Sequence, residues 1–218
     1  MKLILASNSP RRKELLAQAG LEFVVMPAEV DERQLAGETP RAYVLRLAGE
    51  KAQAVKERLP ADDNAGVVII AADTTVELGG DVLGKPVNLV QAEEMLRALR
   101  GRTHQVHTAI AVLRADDEIL LQDVCTTEVC MRAYSDEEMQ AYIVSGDPLD
   151  KAGAYAIQHT SFDPADSLQG CYATVVGLPL CSLQSLLEQL GFSIGITPDL
   201  TCQSLTGTPC LVMTFQGK

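Results

Sequence analysis

Arg11 and Arg12 stand side by side near the start of the chain, after a short apolar run and Ser7-Asn8-Ser9-Pro10. A strand that ends in small hydroxyl residues and feeds a helix start turns backbone N–H groups and the helix dipole toward an anion. Arginine forks match phosphate oxygens in pairs. The same residues also suit an ordinary solvated helix start with two surface arginines. The complete Walker pattern G-x-x-x-x-G-K-[ST] is absent from the chain, so this is not a P-loop.

Further segments place charge beside a predicted strand or turn. Asp73 directly follows the apolar run 67–72. That puts a carboxylate at the carboxyl end of a strand, where open α/β sheets bind ligands. There it can hold Mg²⁺, take a proton from water, or cap a turn. Lys85, between Gly84 and Pro86, is a point charge in a tight turn and suits phosphate. Residues 147–158 are glycine-punctuated, which allows close backbone approach. Gln158 ends that segment, and its amide both donates and accepts, as reading a base edge requires. Glu29-Val30-Asp31-Glu32 adds carboxylates. Magnesium takes one or two carboxylates together with substrate phosphate oxygens. Glu32 and Asp73 would supply them, although an acidic run also makes a solvated face. His104 and His107 are three apart, on opposite faces of a strand, which argues against a shared metal.

The elements that must hold these groups follow from the pattern. Residues 2–6 read as a short buried strand, and a helix starts at Pro10, since proline loses nothing at the first helical position. Ser9 caps it, Leu15, Leu16 and Ala19 are its apolar positions, and Gly20 closes it. A second strand is expected over 22–26. Thr39-Pro40 opens a helix to about Arg58, with Tyr43, Val44, Leu47 and Ala48 at helical spacing. A turn-rich break spans 60–66. Residues 67–72 form a strand buried on both faces, and a hairpin around Gly79-Gly80 leads to Lys85. A helix over 89–99 precedes strands over 104–114 and 118–131, joined by a two-residue turn at Asp116-Asp117. Ser135 starts a helix with an acidic first turn. Residues 145–158 are a loop entering a short strand, and 180–190 a last amphipathic helix. Alternating strands and helices, interrupted by long antiparallel-looking strands, predict an α/β (α+β mixed) fold with a mixed sheet.

The chain has 218 residues and a formal net charge of -11. That length suits one large domain or two small lobes. An acidic surface repels nucleic acid and anionic membranes, and no basic patch with interleaved aromatics stands out. Neither is expected as a partner. Aromatics are 4% and Trp is absent, so the core must rest on Leu, Val, Ile and Ala. No apolar stretch approaches the roughly 20 residues of a membrane span. Six cysteines without a C-x-x-C pair, preceded by no secretory segment, point to a cytoplasmic protein with free thiols, most of them buried.

The segments LILASNSPRRKELL, VDE, EKA, AADTTVELGGDVLGKP, LRGRTHQVHTAIAV, DPLDKAGAYAIQ and VVGLPL follow one another along the chain. Together they resemble the Maf family of nucleoside triphosphate pyrophosphatases, over residues 1–190. Residues 191–218 extend past the family's usual end; the apolar run 210–215 suits an edge strand or a contact within a homodimer. The resemblance implies an elongated mixed β-sheet flanked by helices, in two lobes with a central cleft. It implies cleavage of a nucleoside triphosphate between the α- and β-phosphates, with Mg²⁺ or Mn²⁺ required. On the matching positions, Asp73 would be the proton acceptor, and Glu32 and Asp73 the metal-site carboxylates. Ser7, Arg12, Lys51 and Lys85 would surround the triphosphate, and Arg11, Thr74 and Gln158 would track base preference. SPRR, ADT and AYAIQ look like the branch that prefers dTTP and UTP. A second branch prefers 7-methyl-GTP and tends to an aromatic, a glutamine and a glutamate at those places, which suit a cationic base. One departure borders the base site: where the family usually has glycine after Gln158, this chain has His159-Thr160-Ser161-Phe162. The family's older description as septum inhibitors leaves a nucleotide-binding regulator of cell division as a reading of a different class.

Overall fold

The apolar run 67–72 becomes the middle of a seven-stranded sheet. The structure, a computed structural model, describes residues 2–60, 64–192, 195 and 197–206. The break expected at 60–66 is therefore described only in part, and the apolar run 210–215 lies outside the described residues. Strand order is β2 (Phe23–Val25), β1 (Lys2–Leu5), β3 (Val67–Leu78), β5 (Thr103–Arg114), β6 (Ile119–Met131) and β7 (Ala165–Gln169), with β4 (Asp81–Leu83) paired to the end of β3. β1 runs parallel to β2 and β3, and every other pairing is antiparallel. The mixed α/β architecture is the one the sequence predicts.

Helix starts follow local chemistry. α1 (Pro10–Gln18) and α2 (Pro40–Lys56) each place proline in the first turn, with Ser9 and Thr39 accepting from Arg12 and Ala42 backbone N–H groups. Asn88 caps α3 (Leu89–Leu99) in the same way, and Ser135 and Glu138 form a capping box at α4 (Asp136–Val144). α5 (Tyr172–Val176), α6 (Leu180–Gln189) and α7 (Pro198–Thr206) complete the helices of the described residues. No helix among those residues is long and apolar enough to cross a membrane.

The core has three parts. Leu3, Leu5, Leu15, Leu16, Ile70, Val112, Leu183 and Leu187 fill one face of the parallel half, under α1 and α6. Ile4, Val44, Ala48, Val55, Ile69, Ala71 and Leu113 fill the opposite face under α2. Val76, Leu96, Leu99, Val106, Val129, Tyr134, Met139 and Tyr142 gather at the far end of the long strands with α3 and α4. The first two parts make one lobe and the third makes the other, and a cleft lined from both lies between them.

The structure differs from expectation in four places. β3 does not stop at Ala72 but runs to Leu78, because β5 pairs with it from Val68 to Glu77; Asp73 is therefore mid-strand. Residues 147–154 form two 3₁₀ turns rather than a loop entering a strand: Pro148 and Gly153, with φ of 68°, interrupt extended backbone. β7 and α7 were too polar to read from periodicity. Of the five described cysteines, Cys171 and Cys202 are buried, and Cys125, Cys130 and Cys181 are half-buried.

Leu16 is fully buried on the face of α1 opposite its solvent side and holds the arginine-bearing helix on the sheet. Leu16→Ala should cost about 2–5 kcal/mol, measured by urea unfolding.

Candidate active site

The cleft opens where the sheet is interrupted. β5 covers one edge of β3, while β1 covers the other only as far as Ile70 and β4 resumes at Val76. Among the described residues, 71–75 have no strand partner on that edge. The space there measures about 680 Å³, a usual size for a small-molecule site. Ser7, Arg11, Arg12, Glu32, Lys51, Asp73, Thr74, Lys85 and Gln158 all line it. The structure thus brings together every site residue expected from the sequence, although they are spread over 152 positions' worth of chain between the first turn and the segment after Ala152.

Successive residues of a strand point to opposite faces, so Asp73 and Thr74 open the site on both sides of the sheet. Asp73 faces α2, where Lys51 Nζ donates to Asp73 Oδ1 at 2.6 Å and pairs with Glu32 Oε1 at 2.6 Å. Tyr43 donates to the Glu32 carbonyl at 2.8 Å and fixes the loop that delivers it. Burial pushes the Asp73 carboxyl above its ordinary range, against the pull of the Lys51 charge and hydrogen bond. Burial acts the same way on Glu32, but the Lys51 hydrogen bond and charge, with Lys85 and Arg12, outweigh it and hold that carboxyl below its ordinary value. Paired carboxylates displaced in opposite directions are equipped for different roles.

On the other face, Arg12 is held by neutral oxygens. Its Nε donates to the Gly177 carbonyl at 2.8 Å, Nη1 to Ser7 Oγ at 3.2 Å and Nη2 to Thr74 Oγ1 at 3.0 Å. A guanidinium carries five N–H groups, so donors remain for a ligand. Burial lowers the Arg12 pKa, the nearby Asp73 charge opposing it; arginine stays charged regardless. Gly177 is required here. Its φ is 112°, and a Cβ would sit 3.1 Å from Thr74 Oγ1 and 3.5 Å from Arg12 Nε.

Gln158 lies exposed at the cleft rim, in a turn. Its segment is anchored by Tyr142, whose hydroxyl accepts from Ala156 N at 3.1 Å and donates to Asp147 Oδ2 at 2.8 Å. The unusual loop beyond is pinned as well: Phe162 is buried and stacks on Tyr142, ring centroids 4.4 Å apart. Gly177, Thr108 and Tyr142 escaped sequence reasoning. Gly177 and Thr108 left traces there, in VVGLPL and LRGRTHQVHTAIAV. His104 bonds the Tyr155 hydroxyl at 2.8 Å, whereas His107 bonds Thr126 and Glu77. Asp31 turns away and pairs with Arg33.

This gathering of motifs has counterparts. The model of the Maf-like protein family matches residues 2–190. The chain belongs to the Maf family. Among curated relatives, one from Anaeromyxobacter dehalogenans is 48% identical over 195 residues, covering 88% of this chain and 96% of its own. One from Myxococcus xanthus is 48% identical over 192 residues, covering 88% and 94%, and one from Symbiobacterium thermophilum is 45% identical over 193 residues, covering 88% and 96%. Each of these is named a dTTP/UTP pyrophosphatase. The Maf match ends at Leu190, so α7 lies beyond it.

A raised folded-state pKa means that ionised Asp73 opposes folding. Its contribution to stability is greatest below the unfolded value, near 3.8, and is lost as pH rises through the folded value. Asp73→Asn keeps the shape without the charge. The melting temperature of this variant, relative to the parent, should rise as pH increases across that window; scanning calorimetry showing a flat or falling difference contradicts this.

Proposed function

We propose that this chain is a nucleoside triphosphate pyrophosphatase that hydrolyses dTTP and UTP to the monophosphate and pyrophosphate. The observation that carries the reading is the buried Asp73 carboxylate, raised in basicity, set in one cleft with cations that do not neutralise it alone: Arg12, Lys51 and Lys85. The names of relatives 45–48% identical over most of the chain support the substrate.

Asp73 takes a proton from the attacking water as it adds to the α-phosphorus. Arg12, already oriented by three protein acceptors, meets charge developing on the departing pyrophosphate without reorganising. Lys85, exposed where it lines the cleft, adds a point charge, and Ser7 supplies a hydroxyl. Positioning and electrostatics carry most of phosphoryl-transfer catalysis. Arg11, Thr74 and Gln158 line the same cleft and read the base.

A divalent cation fits the donor set. Glu32 and Asp73 each present an oxygen 2.6 Å from the same Lys51 Nζ, so two hard ligands converge on one point. Among the described residues no three His, Cys, Asp or Glu side chains gather as a metal group, which leaves the remaining positions to phosphate and water, as Mg²⁺ prefers. When bound, Mg²⁺ or Mn²⁺ would neutralise phosphate charge. The catalytic unit is residues 1–190, with 191–218 as an extension, and the compartment is the cytoplasm.

With Mg²⁺ or Mn²⁺, dTTP and UTP should each yield one pyrophosphate per turnover, and a chelator should stop the reaction. Asp73→Asn should lower kcat by about 10²–10⁴-fold. Orthophosphate as the product, or 7-methyl-GTP as the better substrate, overturns the assignment.

A further inference from the structure

The hydrogen bonds behind Arg12 have a fixed direction. Thr108 Oγ1 donates to the Thr174 carbonyl at 2.7 Å. A carbonyl only accepts, so the single hydroxyl proton of Thr108 is committed there. Thr74 Oγ1 lies 2.9 Å from Thr108 Oγ1. Thr74 must therefore be the donor in that contact. Arg12 Nη2 donates to Thr74 at 3.0 Å and takes one of its lone pairs. With its proton turned inward, Thr74 retains only an acceptor for anything in the cleft it lines. Thr108 is wholly buried and touches no ligand space itself.

We propose that Thr108 is a specificity-positioning residue: by holding the Thr74 proton, it makes Thr74 an acceptor that selects bases with a ring N–H donor. Thymine and uracil carry such a donor at N3, whereas cytosine presents an acceptor there. The inference rests on the reading of the cleft as a pyrimidine nucleoside triphosphate site. It adds the physical reason for choosing one pyrimidine over another. It also separates Thr74 from Gln158, whose amide can present either polarity.

Thr108→Val removes the acceptor that holds Thr74, whose hydroxyl is then free to turn and donate into the cleft. The ratio of kcat/KM for UTP to that for CTP, followed by pyrophosphate release, should fall about tenfold, the worth of one neutral hydrogen bond. Thr108→Ser keeps the hydroxyl and should keep the ratio. A purely structural role would lower the melting temperature of the valine variant and leave the ratio unchanged, which overturns the proposal, as does a serine variant that loses as much as valine. Should the valine variant not fold, Thr74→Val removes the acceptor itself and must lower the same ratio. Hydrolysis by the unsubstituted protein tests the pyrophosphatase reading separately. Calorimetric affinities for UMP and CMP need no turnover: a preference for UMP that Thr108→Val abolishes supports the proposal even without hydrolysis, and equal affinities in the unsubstituted protein overturn it.

Discussion

A buried carboxylate must be neutralised where it stands, and this constraint shapes the molecule. Taking an ion out of water costs several kcal/mol unless a partner compensates. Asp73 sits mid-strand, after six apolar residues and opposite Ala109, and the ammonium of Lys51 reaches it from α2. The same ammonium holds Glu32, which arrives on an irregular loop. One cation thus ties a strand, a helix and a loop together at a single point. Three elements far apart in sequence are located relative to one another by charge as well as by packing.

Arg12 follows the opposite rule. It is half-buried, and its protein partners are a carbonyl and two hydroxyls. None of them cancels its charge, so the charge remains available to an anion. The two treatments lie on the two faces of one strand, at adjacent residues. The gap between β1 and β4 joins the faces, and a ligand seated there reaches both. In a chain of net charge -11, cations concentrated in this gap focus the field on one spot.

The wall of the cleft made by α5 has its own fastenings. Thr108 holds the Thr174 carbonyl, Thr127 holds both backbone groups of Cys171, and Arg12 holds the Gly177 carbonyl. A five-residue helix has little stability of its own, so these bonds hold Val175 and Val176 against the cleft. The loop after Gln158 is likewise fastened, by Phe162 on Tyr142. This loop sets the surface beside Gln158 without being loose itself.

Much of the site was legible in sequence because its residues occur in compact runs with local causes. Ser9-Pro10 announces a capped helix, and Asp73 after six apolar residues announces a carboxylate against a core. The strand carrying Asp73 was cut short because Thr74, Thr75 and Glu77 interrupt the apolar run; pairing with β5, a non-local cause, extends it. β7 gave no periodic signal, since an edge strand faces solvent too much to need one. The charges and the capped starts of α1 to α4 arise from neighbours within a turn or two, and the chain alone records them. It takes the folded molecule to reveal that Lys51 stands between two carboxylates, that Gly177 must lack a side chain, and that Thr108 sets the polarity of Thr74. Those depend on which atoms meet across long separations in sequence, and local propensity carries no record of such meetings.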